Sequence, residues 1–598
     1  MTGSPRGEGL RARLGFAALV AIVVAGPWPA TAGDAGPSVH LVLQVTVDQL
    51  RGDFAARTRA HWGKGGFRRL FDEGAVFTDA RYRHANTETV VGHATLATGA
   101  DPSVHGMVGN AWVDRDSGAL RYSVADSRYR QIGGGCAAVS RPAPAAPADD
   151  ALVEPHAPSA PAVSGRSERC EGGSPLALLA PTLADSIAEA GGGKARVFSV
   201  SLKDRAAVPM GGRNGKAFWW SESTGEFVSS TYYFESGRLP AWVEAWNRHH
   251  ETDRFDGRTW DLLLPRRSYR EASRDDMPWE LPPAGMGRTF PHHFDRKALG
   301  ESFGKAVAAS PFGDDLVVDF TRALLAAEPL GRHGVTDYLS VSLSSNDYVG
   351  HYYGPDSLEA EDEMLRLDRA LARLLEAAEA SAGRGHVLVV LSADHSAGPP
   401  PEERIAAGQD AGWVALSAIE ETQAVRALAQ KYGGSLVARN AAPYVYLDTN
   451  ALHARGADPE KAARALAAEL AKAPGVGAAY TRGQIEGGEL PDNDVSRAVV
   501  RSFEPTRSGD IHVLVRPGWE IAYEGATSTR YATMHGSPWS YDTFVPLVFA
   551  GPGVARAEVS RRVETVDVVP TLAALAGISV PSGVTGKVLP EAIASRPR

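Results

Sequence analysis

Residues 386–395 read HVLVVLSADH, an unbroken apolar run that stops at Asp394-His395. Two other stretches end in the same way. HLVLQVTVDQL (40–50) is a β-branched run that reaches Asp48, and DYLSVSLSSND (337–347) alternates before reaching Asp347. Helical patterns separate such runs, among them Leu358 to Ala380, so the chain reads as α/β with a mainly parallel sheet. Ligands of open α/β sheets bind beyond the carboxyl ends of the strands. Three strands here deliver carboxylates to that edge.

Each of these acids, taken singly, is equally an N-cap or a turn residue. Taken together they are harder to explain that way. SNDYVGHYYGP (345–355) puts His351 four residues after Asp347, and YATMHGSPWSYDTFVP contributes His535. Three carboxylates and three imidazoles with no thiolate suit zinc, with manganese or iron as alternatives, and six donors suffice for two ions. Two metals about 4 Å apart can hold both the attacking and the leaving oxygen of a phosphoryl transfer.

The remaining composition is that of a globular protein, with 43% hydrophobic and 22% charged residues. The start differs. Arg6, Arg11 and Arg13 precede an apolar run from Leu14 to Ala25 and an Ala30-Thr31-Ala32 site, the pattern of a secretory signal peptide over residues 1–32. That run is too short to span a bilayer, so the mature protein is expected in the periplasm or the medium, without a membrane anchor. Loss of three arginines and Glu8 takes the net charge from −9 to −11. General nucleic-acid binding is disfavoured by such a charge.

Cys136 and Cys170 are the two cysteines, available to a disulfide in an exported protein. Between them lies an Ala/Pro-rich insertion (137–169) whose composition does not build a core. Residues 400 to 530, with AARALAAEL, APYVYL and GDIHVLV, read as a smaller α+β lobe. Trp219, Trp220, Tyr232 and Tyr233 read as packing of a lid or inserted lobe. Asp567 is expected to cap the helix after it.

NTETVVGHATLATGADPSVHGMVGNAWVDR (86–115) supplies the nucleophile candidate. Thr89 precedes a run that can open a helix, which would set its hydroxyl at a helix N-terminus facing an anion. His93 and His105 nearby read as structural. V-D-Q-L-R (47–51), T-V-V-G-H (89–93), G-N-A-W (109–112), S-L-K-D-R (201–205), S-A-D-H (392–395) and H-G-S-P-W-S-Y-D (535–542) together make the sequence resemble the alkaline phosphatase superfamily, and within it the bacterial alkaline phosphatases with a threonine nucleophile. The resemblance covers nearly the whole mature chain. It departs in V-V-G-H, where relatives often carry A-P-G-H, and in the Ala/Pro insertion.

The resemblance implies an alkaline-phosphatase-like catalytic domain over 33–598, with a mainly parallel sheet flanked by helices, inserted lid segments and the smaller lobe. It implies that Asp347, His351 and His535 hold one zinc, and that Asp48, Asp394, His395 and the nucleophile Thr89 surround a second. Asn110, Lys203 and Arg205 would contact phosphate oxygens, the last two from one extended segment with Asp204 turned away. The expected substrates are small phosphate monoesters, split through a phosphothreonine by a monomeric enzyme. A phosphodiesterase or nucleotide pyrophosphatase on the same fold is the alternative. A sulfatase is disfavoured because neither Cys136 (C-A-A-V-S) nor Cys170 (C-E-G-G-S) stands in a C/S-x-P-x-R context. A catalytically inactive binding protein would not need both the nucleophile and every ligand.

Overall fold

The computed structural model describes residues 39–136, 170–269, 274–522 and 531–594, with Met1 and Gly3. Apart from those two residues, the expected signal peptide lies outside the described residues, as does the insertion over 137–169. At the base of that insertion Cys136 and Cys170 form a disulfide, with Cα atoms 5.6 Å apart.

Seven strands of a large sheet position the site. They are β1 (Leu41–Val47), β2 (Ala75–Arg81), β3 (Val197–Ser201), β4 (Lys216–Ser221), β5 (Asp337–Leu343), β6 (Val387–Ser392) and β7 (Phe544–Ala550). They lie in the order β2-β7-β6-β1-β5-β3-β4. The block β6-β1-β5-β3-β4 is parallel, whereas β7 runs antiparallel to both β6 and β2. In register, Leu41 faces Asp337 on one side and Val387 on the other, so these three strands finish level. Every residue of β1, β5 and β6 is buried, which fits strands covered on both faces.

Helices fill both faces. The four that matter to the site are α1 (Thr89–Thr98), α2 (Asp204–Gly211), α3 (Ser345–Tyr353) and α4 (Leu358–Ala382). Ser357 starts α4 by accepting the Ala360 N–H at 3.1 Å, an N-cap bond of the usual kind. Leu367, Leu371 and Leu374 on α4 are fully or almost fully buried in the main core.

A second sheet is separate. Val437–Ala441, Tyr444–Leu447, Ile511–Val515 and Val476–Thr481 pair antiparallel in that order, over a core that includes Leu452, Leu466 and Leu470. Trp219 and Trp220 are buried on β4. Asp567 precedes a helix (Val568–Ala576) without capping it; its carboxylate accepts the Lys587 N–H (2.9 Å) and the Glu564 N–H (3.1 Å) instead. A preceding 3-10 turn over Thr565–Asp567 draws the side chain back toward Glu564.

Candidate functional site

Strand order explains why distant residues meet. The parallel neighbours β6, β1, β5 and β3 end at Asp394-His395, at Asp48, at the turn into α3 with Asp347 and His351, and at Lys203. Because β7 is antiparallel, the segment before it, with His535, begins at this same edge. Strand β2 parallels β6 through β7, and its continuation carries the chain there to open α1 with Thr89. Arg205 follows Lys203 on α2, Asn110 joins through hydrogen bonds to Val90 and Glu88, and the other eight site residues read from the sequence are on the segments that meet at this edge.

Their donor atoms form two groups, Asp347-His351-His535 and Asp48-Asp394-His395, each with its atoms within 4.8 Å of one another. His351 Nε2 lies 3.2 Å and His535 Nε2 3.8 Å from Asp347 Oδ1. His395 Nε2 lies 3.3 Å from Asp48 Oδ1 and 3.4 Å from Asp394 Oδ2. These are ion-pair distances without hydrogen-bond alignment: all three atoms are buried and make no hydrogen bond. Each carboxylate spends its other oxygen on protein donors. Asp48 Oδ2 accepts from Lys203 Nζ at 2.7 Å, and Asp394 Oδ1 from the Gln49 and His395 N–H groups. Such buried, unsatisfied acceptors are costly unless a cation is drawn to them.

The imidazoles are oriented for this. His351 Nδ1 donates to the Thr533 carbonyl at 2.8 Å, His535 Nδ1 to the Thr87 carbonyl at 2.9 Å, and His395 Nδ1 to the Ser396 carbonyl at 3.2 Å. A carbonyl only accepts, so Nδ1 carries a proton in each ring and Nε2 is the atom directed to the carboxylates, available to a cation once any proton it holds is displaced. The two groups therefore fit divalent cations, and the N/O donor set suits zinc.

Thr89 is the first residue of α1, and all ten residues of that helix are buried. Its neighbour Val90 donates its N–H to Asn110 Oδ1 at 3.0 Å, while Asn110 N donates to Glu88 Oε2 at 2.6 Å. The Asn110 amide oxygen is thereby committed to shaping the turn that opens α1. Gly92 lets α1 approach this closely, since a Cβ there would lie 1.9 Å from the Asp394 carbonyl oxygen. Thr89, Arg205, His351 and His535 line one small pocket, walled by Tyr348 and Tyr531.

Lys203 and Arg205 are arranged differently from the extended pair expected of S-L-K-D-R. Lys203 is extended, but α2 begins at Asp204, so Arg205 is in a first helical turn. Asp204 does turn away, accepting from the Tyr122 hydroxyl at 2.7 Å. The Lys203 ammonium is buried between Asp48 and Asp347, bonded to both, with its Nζ 4.9 Å from the Tyr348 ring centroid. Arg205 Nε is buried without an acceptor beside the pocket.

Charges in the cluster shift accordingly. Burial and Asp347 raise the Asp48 carboxyl, but Lys203 and His395 prevail and hold it below the usual carboxylate range. Burial and Asp48 leave Asp394 raised. Burial opposes a charge on His395, yet Asp394, Asp48 and Asp347 together take its pKa up to about 9.

Gln49 and Gly350 carried no readable signal of their roles in the sequence, whereas His93 was read as structural. Gln49, at φ 64°, donates from Nε2 to Asp347 Oδ1 at 2.8 Å. Gly350 makes room for it, because a Cβ there would lie 1.8 Å from Gln49 Oε1. His93 bridges the Thr89 carbonyl (2.9 Å) and Ser342 Oγ (3.0 Å) and comes 3.2 Å from Asp394 Oδ2.

A parallel-centred sheet with two clusters of carboxylates and imidazoles beyond its strand ends, and a threonine opening a helix beside them, defines a protein of the alkaline phosphatase superfamily. Residues 42–538 match the family described as Type I phosphodiesterase / nucleotide pyrophosphatase, and the chain belongs to it. It is 32% identical over 575 residues to alkaline phosphatase PafA of Elizabethkingia meningoseptica, covering 96% of this chain and 98% of that protein. It is 30% identical over 551 residues to alkaline phosphatase PhoV of Synechococcus elongatus, covering 92% of each. A crystal structure of wild-type PafA aligns with a TM-score of 0.82 at 31% identity, over 94% of this chain and 100% of that one.

Proposed function

We propose that the protein is an exported hydrolase of phosphate monoesters that holds two zinc ions and works through a phosphothreonine on Thr89. The observation that carries this reading is the shared pocket: a helix-opening threonine, the unpaired Arg205 Nε and two metal-ligand histidines face one space. Asp347, His351 and His535 would hold one ion, and Asp48, Asp394 and His395 the other, with Thr89 beside it. Bound zinc would stabilise the threonine alkoxide near neutral pH and neutralise charge on the transferred group.

The residues of the chain supply the rest. Thr89 Oγ attacks phosphorus, the bond to the leaving oxygen breaks, and water then hydrolyses the phosphothreonine. Helix α1 directs its positive end toward the phosphate. The Asn110 NH2 group and Arg205 donate to the non-bridging oxygens, and Lys203 adds positive charge behind them. The alternative, a phosphodiesterase, shares these ligands.

Turnover of an aryl phosphate monoester against the matching diester, before and after chelation and zinc repletion, tests the proposal. Chelation is expected to abolish turnover and zinc to restore it, with the monoester preferred. Full activity in metal-free protein would sink the zinc reading, and a diester preference would select the alternative. His351→Ala is expected to cost one ion and several orders of magnitude in rate.

The raised pKa of His395 gives a pH dependence. In metal-free protein the ring keeps its proton until the pH passes about 9, so an incoming ion displaces that proton. Apparent zinc affinity should therefore rise about tenfold per unit toward pH 9 and flatten beyond it. The sign for metal-free stability is opposite. This ion pairing is fully present below the ordinary histidine value of 6.5 and is lost as pH rises through about 9. Chelator-competition titrations across this range check the first slope, and an affinity independent of pH would remove His395 from the ligand set.

A further inference from the structure

We propose that Glu520, on a short strand far from the nucleophile in sequence, is the positioning residue that holds two of the metal-ligand histidines in place. The proposal rests on the dizinc reading above. Glu520 lies on the Trp519–Ile521 strand, paired parallel with Gly412–Val414, and its side chain is buried. Both carboxyl oxygens are used. Oε2 accepts the Met534 N–H at 2.6 Å, and Oε1 lies 2.8 Å from Thr533 Oγ1. The Thr533 hydroxyl also lies 2.9 Å from the Gly398 carbonyl oxygen.

The segment fixed in this way contacts His351 twice. The Thr533 carbonyl accepts the His351 Nδ1–H at 2.8 Å, and the Ala532 N–H donates to the His351 carbonyl at 2.7 Å. His535 follows Met534 directly, so the same two hydrogen bonds set the start of its backbone. One carboxyl group thereby controls the ring direction of His351 and the placement of His535, both donors to the group centred on Asp347. Its hydrogen bonds run through Thr533 and Met534, between the two histidines in the chain of contacts.

The hydrogen count fixes which substitution should be harmless. The Thr533 hydroxyl has one proton and three oxygens within reach, Glu520 Oε1, the Gly398 carbonyl and, at 3.4 Å, the Met534 carbonyl, so a chain in which Glu520 is protonated on Oε1, donating to Thr533 Oγ1, and Thr533 donates to Gly398 satisfies both the hydroxyl and the carboxyl group. Burial pushes the Glu520 carboxyl well above its usual range, in agreement with a neutral group. Glutamine reproduces that pattern: its oxygen accepts from Met534 N–H and its NH2 group donates to Thr533 Oγ1. Alanine does not.

The test compares wild type, Glu520→Gln and Glu520→Ala in zinc binding to metal-free full-length protein, by chelator competition, with thermal melting and kcat and KM alongside. Glu520→Ala is expected to lower the affinity of one of two zinc sites about 10- to 100-fold, as loss of a partner of a metal ligand does. It should lower kcat at saturating zinc with KM little changed. Glu520→Gln should match wild type within about threefold in each measure. Two wild-type-affinity sites in Glu520→Ala overturn the proposal, as does equal damage in Glu520→Gln and Glu520→Ala. If Glu520→Ala does not fold, Thr533→Val carries the test: weakened zinc at one site supports the proposal and wild-type affinity at both overturns it. A wild-type protein that binds no zinc overturns the dizinc reading instead.

Discussion

Thr89→Ala is expected to leave no covalent phosphoenzyme and to lower kcat by about 10⁴- to 10⁶-fold, the range of nucleophile deletions in other covalent hydrolases. The rest of the pocket survives in that variant. The Val90–Asn110 and Asn110–Glu88 hydrogen bonds that shape the turn involve neighbours of Thr89 and not its side chain. The loss should therefore appear in kcat with phosphate still bound, and the fold intact by melting. Thr89→Ser keeps the hydroxyl but loses the methyl group that restricts χ1, so it should retain measurable turnover at a reduced rate. Acid quenching followed by mass spectrometry locates the phosphate. Phosphate on a different residue, or undiminished trapping in Thr89→Ala, would take the nucleophile's role away from this threonine.

The second large effect concerns Lys203 and Arg205. A monoester dianion carries one more unit of charge on its transferred group than a diester. Each charge-assisted contact contributes about 1.5 to 3 kcal/mol. Arg205 is placed for such a contact and Lys203 supplies charge behind it, so the double variant Lys203→Ala/Arg205→Ala should lose about ten- to a hundredfold, on the order of one such energy, in monoester kcat/KM and much less with the diester. Equal losses on both substrates would make the pair structural and remove the main support for monoester preference. The buried position of Lys203 adds a separate consequence. Its Nζ neutralises Asp48 and Asp347 at once, so Lys203→Ala leaves two buried carboxylates short of a cation. Breaking such a buried pair costs about 3 to 5 kcal/mol. Metal-free Lys203→Ala should melt well below metal-free wild type, and zinc should close most of that gap. The kinetic comparison accordingly belongs on zinc-loaded protein.

The sheet was readable because β1, β5 and β6 are buried on both faces: β1 and β6 are largely apolar, β-branched runs, and β5 alternates apolar residues with buried serines, before each reaches the polar edge. Their terminal acids were readable for the same reason. S-L-K-D-R was readable as a basic pair but not as geometry. That Lys203 meets Asp48 and Asp347 follows from β3 lying beside β5, and nothing in residues 201–205 encodes which strand is the neighbour. Gln49 and Glu520 act through single side chains reaching across 298 residues to Asp347 and 14 residues to Met534, without a periodic pattern around them. Asp567 was misread because a 3-10 turn immediately before the helix gave its carboxylate nearer donors than the helix itself.

Strand β7 occupies an interior slot, between β2 and β6, although it comes from residues 544–550, near the end of the chain. A growing polypeptide therefore completes β1 to β6 and still lacks the strand that joins β2 to the other five. Until β7 enters, β2 and β6 present unpaired edges, which invite pairing with other chains. The last metal ligand, His535, arrives on the same stretch. Closure of the sheet and completion of the metal site are consequently a single late event in synthesis, and a chain cut short before residue 535 forfeits both.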